Sequence, residues 1–176
     1  MESLARPGAR PALSSYLDSR TAPAAFGPVR RRDWLTLALL SATPLARAAT
    51  KTTVDVWKSP TCGCCKDWMR HMEVYGFQVR AHDTGNTAMR QRMKIPLELG
   101  SCHTAVVGRY AIEGHVPAKD VLRLIKERPD AIGLAVPGMP VGSPGMDGPE
   151  YGERRDPYDV LLVRADGSTS VFNSYR

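Results

Sequence analysis

Long apolar runs are missing from this sequence, and their absence removes the simplest route into a bilayer. The candidate stretch Leu35–Leu45 falls well short of the roughly 20 apolar residues that a transmembrane helix needs, so no stable membrane anchor is expected. Aromatic residues are scarce at 7%, and past residue 48 no basic cluster is interleaved with them. Nucleic acid is therefore not an expected partner, despite a net charge of +6. That charge is unevenly spread: the first 48 residues hold seven arginines against three acidic residues, which leaves only +2 on the rest. Four cysteines allow at most two structural disulfides. No internal repeat is evident beyond a doubled Pro-Gly-Met.

What the first 48 residues do contain comes in a telling order. Residues 1–29 are rich in Pro, Ala and Ser and read either as a disordered lead-in or as sequence upstream of the true translation start. Arg31-Arg32-Asp33-Trp34-Leu35 follows, similar to a twin-arginine export motif with Trp34 in place of the usual Phe. The apolar run comes next, then Ala46-Arg47-Ala48, a small-residue cleavage site. Residues 1–48 are thus expected to be an export signal and 49–176 a single periplasmic domain.

The mature region alternates strand and helix patterns. Thr53–Lys58 reads as a strand, and Cys64–Tyr75 as a helix capped by Thr61 and stopped by Gly76, with Cys65, Trp68, Met69 and Met72 along one face. Phe77–His82 reads as a second strand and Asn86–Met93 as a short helix. Thr104–Val107 and Tyr110–Glu113 form a hairpin around Gly108-Arg109. Ala118–Arg128 makes a last helix behind Pro117. The order β-α-β-α-β-β-α, with Cys62-x-x-Cys65 after the first strand, predicts an α/β thioredoxin-like fold. Beyond it come a Met/Pro/Gly loop over Pro137–Met146, a polar loop over Asp147–Asp156, and a terminal hairpin of Tyr158–Val163 and Thr169–Tyr175 around Asp166-Gly167. That hairpin either extends the sheet or packs over the thiol end.

Three of the four cysteines, Cys62, Cys64 and Cys65, crowd the start of the first helix. There the helix dipole and unpaired N–H groups favour thiolate over thiol. The fourth, Cys102, stands with His103 where a thioredoxin-like chain enters its third strand, so both are expected beside Cys62. Thiolate and thioether donors select Cu(I), while imidazole also suits Cu(II) and zinc. Zinc fits less well, because Cys62-x-Cys64-Cys65 is too compressed for the paired spacing of structural fingers. Met139 and Met146 sit in Pro/Gly surroundings, where a large apolar side chain needs a reason, and are candidate ligands. Met69, Met72, Met89 and Met93 have the spacing of core residues. His71 is expected in solvent and His82 exposed at a strand end. His115 either caps the following helix or faces the metal.

Taken together, SPTCGCCKDW, the SCHT entry, EGHVPA, PGMPVGSPGM, PYDVLL and the closing DGS strand resemble the CopG-type copper-resistance proteins across the whole mature chain. The resemblance implies a periplasmic thioredoxin-like protein that binds copper through these cysteines, and it extends to redox interconversion of the metal. Cys62, Cys64, Cys65 and Cys102 would be the ligands, with Met139, Met146 and His103 as further candidates. Copper ions would be the cargo, and another periplasmic copper protein or exporter the partner. The competing chemistry is thiol–disulfide exchange, in which Cys62 attacks a substrate disulfide and Cys65 resolves the mixed disulfide. Under that reading Cys64 and Cys102 would divert the intermediate. A third reading leaves the cysteines as purely structural disulfides.

Overall fold

The computed structural model describes residues 51–176. The twin-arginine segment, the apolar run and the Ala46–Ala48 cleavage site lie outside the described residues.

Strand β1 (Thr53–Lys58) alternates as its sequence requires, with Val54, Val56 and Lys58 buried on one face. Lys58 is the exception to the apolar rule. Its ammonium is held by Asp83 at 2.5 Å and by the Ser59 carbonyl at 3.2 Å. Helix α1 (Gly63–Val74) follows and buries Cys65, Trp68 and Met72, with Met69 packed partly against the core. Its N-cap is Cys62, not Thr61. The Thr61 hydroxyl pairs instead with the Ser59 hydroxyl at 3.1 Å, and the Cys62 N–H closes a turn onto the Ser59 carbonyl. Gly76, at φ +88°, ends the helix as expected.

Strand β2 (Gln78–His82) runs parallel to β1 at the sheet edge. Of the expected apolar face, Phe77 is buried but Ala81 is exposed. Helix α2 (Thr87–Arg92) buries nothing outright. Strands β3 (His103–Val107) and β4 (Tyr110–Glu113) form the predicted hairpin, and β3 lies antiparallel to β1 with Lys58 opposite His103. Helix α3 (Ala118–Glu127) buries Ala118, Val121 and Leu124. Full burial of Val121 and of Leu124 contributes roughly 1.5–3 kcal/mol each.

Within the Gly/Pro-rich segment the chain forms a strand that periodicity did not reveal, β5 (Gly133–Ala135), parallel to β4. Three residues are too few to show alternation. Glycine is required at its start, because a Cβ on Gly133 would lie 1.7 Å from the Ala111 carbonyl oxygen. Strand β5 then pairs with β6 (Tyr158–Val163), and β6 with β7 (Thr169–Tyr175). The terminal hairpin therefore extends the sheet, in the order β2-β1-β3-β4-β5-β6-β7, and does not cover the thiols. The result is a mixed α/β chain around one sheet, compatible with a thioredoxin-like core. Among the described residues, no helix is long and apolar enough to cross a membrane.

Candidate metal centre

The antiparallel pairing of β1 with β3 brings the end of one beside the start of the other. The chain leaving β1 carries Cys62, Cys64 and Cys65, and the chain entering β3 carries Cys102, so all four meet at one edge. Their sulfurs lie within 4.8 Å of one another. The Cys62–Cys64, Cys65–Cys102 and Cys64–Cys102 separations are 3.6, 3.5 and 3.9 Å. Cys65 is buried, and the other three are half-buried.

The set is not four free thiols. Cys62 and Cys65 are joined by a disulfide, while Cys64 and Cys102 are free. A four-thiolate site therefore exists only after two-electron reduction of that bridge.

Cys102 belongs to a second group, with His103 and His115. Its sulfur is 3.0 Å from His115 Nε2 and 3.4 Å from His103 Nδ1. His115 Nδ1 lies 2.8 Å from the Pro144 carbonyl. A carbonyl can only accept, so Nδ1 carries the hydrogen and Nε2 presents its lone pair toward Cys102. A backbone carbonyl that fixes the remote nitrogen is the usual support of a metal-binding imidazole. His103 is wedged between Trp68, 4.4 Å away by ring centroid, and His115 at 5.2 Å. Its Nε2 is a buried polar atom without a partner among the described residues.

The electrostatics favour neutral groups. Burial pushes the Cys102 thiol up to about 12, aided by the neighbouring Cys64. Burial also holds His115 below the ordinary histidine value, and His103 well below it, with the adjacent His115 adding to the second effect. The helix-dipole argument made for the three helix-start cysteines does not extend to Cys102, which lies off the helix and is half-buried. A bound cation would reverse that balance and displace the proton.

The loop around Pro137–Met146 lies against both thiol-bearing segments. A Cβ on Gly145 would fall 2.5 Å from the Cys64 carbonyl oxygen, so this stretch rests directly on the first turn of α1. At its other end the Gly138 N–H donates to the Gly100 carbonyl at 3.3 Å, and the Ser101 hydroxyl to the Gly138 carbonyl. Met146 is buried and accepts a 3.5 Å bond from the Tyr151 hydroxyl at its sulfur. Met139 is half exposed. No hydrogen-bonding contact ties either methionine to a thiol among the described residues.

One histidine departs from the role the sequence suggested, and another takes the second of its two expected roles. His71 is not free in solvent: its Nε2 accepts the Ala118 N–H at 3.0 Å and so caps α3. His115 is consequently spared for the thiol site. His82 stacks on Trp57 at 4.4 Å and meets Asp55 at 3.0 Å. His115 had a readable signal. The β3–β4 register sets Thr104 opposite Glu113, and two more steps along the hairpin set Cys102 opposite His115.

Comparison with known proteins gives two kinds of likeness. The family described as "Protein of unknown function, DUF411" matches residues 99–146, which include Cys102, His103, His115 and both loop methionines. The solved structure "Copper resistance protein copG- Form 2" is 45% identical, with a TM-score of 0.66 over 72% of this chain and 99% of its own. "Copper resistance protein copG- Form 1" is 46% identical, with the same TM-score over 71% of this chain and 98% of its own. No curated protein matches.

Proposed function

Since the chain belongs to the CopG-type copper-resistance family, we propose that it is a periplasmic copper-binding protein whose cysteine cluster takes up copper and passes it on in copper resistance or homeostasis. The convergence of four cysteine sulfurs within 4.8 Å carries this reading. Once reduced, the cluster offers a soft donor set suited to Cu(I), and one thiolate can bridge two ions. His115 and His103 add imidazole nitrogens, which tolerate Cu(II) as well. Met139 and Met146 supply neutral thioethers in a loop that rests on the same helix turn. Residues 1–48 act as a twin-arginine export signal, 49–176 form the binding domain, and the partner is another periplasmic copper protein or exporter.

The Cys62–Cys65 bridge gives the centre two states. Bridged, it keeps two thiols; opened, four. Closing the bridge releases two electrons and two protons, enough to reduce two Cu(II) to two Cu(I). Redox cycling of copper is thus within the chemistry of the site. The same bridge favours a second reading, a thiol–disulfide oxidoreductase using Cys62 and Cys65. Against it stand Cys64 and Cys102, each within 4 Å of a bridged sulfur and able to intercept a mixed disulfide.

Anaerobic titration of the reduced protein with Cu(I), against a chromophoric chelator and with thiols counted, separates the two. Thiol-dependent uptake, weakened by Cys102→Ser, is expected. Met139→Leu or Met146→Leu should lower affinity at a stability cost usually under ~1.5 kcal/mol, because leucine conserves the volume. Brisk turnover of a model disulfide without thiol-dependent Cu(I) uptake would instead establish the exchange enzyme.

A further inference from the structure

We propose that Glu113, together with Arg90 and Asn86, is a positioning residue that clamps the peptide ahead of Cys102 and so sets the Cys102 thiol against His115. The inference rests on the reading of Cys102 as a copper ligand. Glu113 ends β4 with its side chain wholly buried. Its Oε1 accepts the Ser101 N–H at 2.7 Å and Arg90 Nε at 2.8 Å, and its Oε2 accepts the Thr104 hydroxyl at 2.6 Å. Arg90 Nη2 donates in turn to the Ser101 carbonyl at 2.5 Å, and Asn86 Nδ2 to the same oxygen at 3.1 Å. Both backbone polar groups of Ser101 are therefore held, one residue before Cys102.

The same carboxylate lies two residues before His115. Between them Gly114, at φ +70°, donates to the His103 carbonyl at 3.0 Å. Any Cβ on Gly114 would fall 2.5 Å from the Ser101 hydroxyl and 2.6 Å from the Val136 carbonyl oxygen, so the Ser101 side chain packs directly on the bare Gly114 backbone. One buried carboxylate thus ties the segment bearing Cys102 and His103 to the turn bearing His115, and the 3.0 Å sulfur–nitrogen contact spans the joint.

Stability alone is a poor reason for this arrangement. A buried ion pair costs several kcal/mol of desolvation per ion, and apolar residues of equal volume often match it. What apolar residues cannot do is hold the N–H and the C=O of one residue, and so the two peptides that flank it, at fixed positions. Helix α2 buries no residue, yet it supplies Arg90 to the clamp, with Asn86 at its N-cap. That gives this short helix a purpose its packing does not.

A double-mutant cycle on Cu(I) affinity tests the clamp, using the purified protein and a competing chelator. Glu113→Gln should weaken binding about 10-fold or more, the usual effect of removing a group that orients a metal ligand. In a Cys102→Ser background the same change should cost less than about twofold, because residues acting through one another are not additive. Asn86→Ala, a milder cut that spares the buried charges, should show the same non-additivity at smaller amplitude. Equal losses in both backgrounds, or no loss in either, would overturn the proposal. A metal-free measurement keeps it separate from the copper reading: alkylation of Cys102 in the oxidised apo-protein should accelerate several-fold in Glu113→Gln and in Asn86→Ala. An unchanged rate in both would sink the clamp even if copper binds. A changed rate in a protein that takes up no Cu(I) would sink the copper reading and leave the clamp.

Discussion

Replacing Gly145 by alanine puts the seating of the Pro/Gly loop on the thiol helix to a quantitative test. Gly145 has φ +85°, a conformation that costs an L-residue about 1–2 kcal/mol. The added Cβ would also meet the Cys64 carbonyl oxygen at 2.5 Å and the Trp68 nitrogen at 2.7 Å. Both are helix backbone, which cannot step aside as a flexible side chain would, so the loop must retreat and lose its contacts. Gly138 provides the control within the same loop. Its φ is +69°, but an added Cβ would meet nothing within 4 Å. Gly138→Ala should therefore show the backbone cost alone, about 1–2 kcal/mol. Gly145→Ala should lose that and at least about 2 kcal/mol more, in the range of overpacking at a site that cannot relax. Urea unfolding of the oxidised apo-protein gives the two stabilities. Cu(I) competition gives the second consequence, since a retreating loop takes the Pro144 carbonyl from His115. Gly145→Ala alone should lower copper affinity. If the two variants match in stability and in affinity, the loop is not seated on the helix as argued.

Two further outcomes follow from the disulfide and from His71. The Cys62–Cys65 bridge closes a four-residue loop, so by chain entropy its reduction should cost the apo-protein about 2 kcal/mol, or roughly 5–10 °C in Tm. Cu(I) at about 100 times its Kd should restore some 2.7 kcal/mol, and equal melting of oxidised and reduced apo-protein would contradict the argument. Burial holds His71 below its ordinary value of 6.5, with nearby Asp147 opposing, and its Nε2 must stay unprotonated to accept the Ala118 N–H. The unfolded chain then binds the proton first, so stability is complete above about 6.5 and falls as the pH drops through that value. Urea midpoints between pH 7.5 and 5 should show the fall, less steeply in His71→Gln; identical slopes would remove His71 as a contributor.

The parts of this fold legible from sequence are those with a period or a turn signal. Alternation in Thr53–Lys58, the i, i+3, i+4, i+7 stripe of Cys65, Trp68, Met69 and Met72, and Gly108 at the hairpin each state a local geometry directly. Strand β5 was hidden because three residues have no measurable period, and because its glycine answers to a carbonyl on a distant strand. The fate of the terminal hairpin was hidden with it, since β5 is the strand that links β6 to the core. The cap at Thr61 failed for a related reason: the hydroxyl had a nearer partner in Ser59, a competition that propensity does not weigh. In the site, convergence of the cysteines followed from element order. The capping role of His71 did not, because His71 and His115 both lie near the start of α3 and only packing decides which of them accepts the Ala118 N–H.

The bridged state of the centre also explains how so many ionisable groups can sit partly out of water. In the bridged state Cys62 and Cys65 carry no charge, Cys102 is held as a thiol, and the two histidines beside it are held neutral. The fixed cation at the edge, Lys58, is already matched by Asp83. Burying such a set costs little, because desolvation is severe only for unpaired charge. Reduction alone would add thiols to a partly buried site, whereas copper arriving with reduction, as proposed, would supply positive charge as each thiolate forms. Proton release on metal binding should therefore track the number of thiols engaged. On the proposed copper reading, Cys102, held as a thiol by burial, would ionise only against incoming metal.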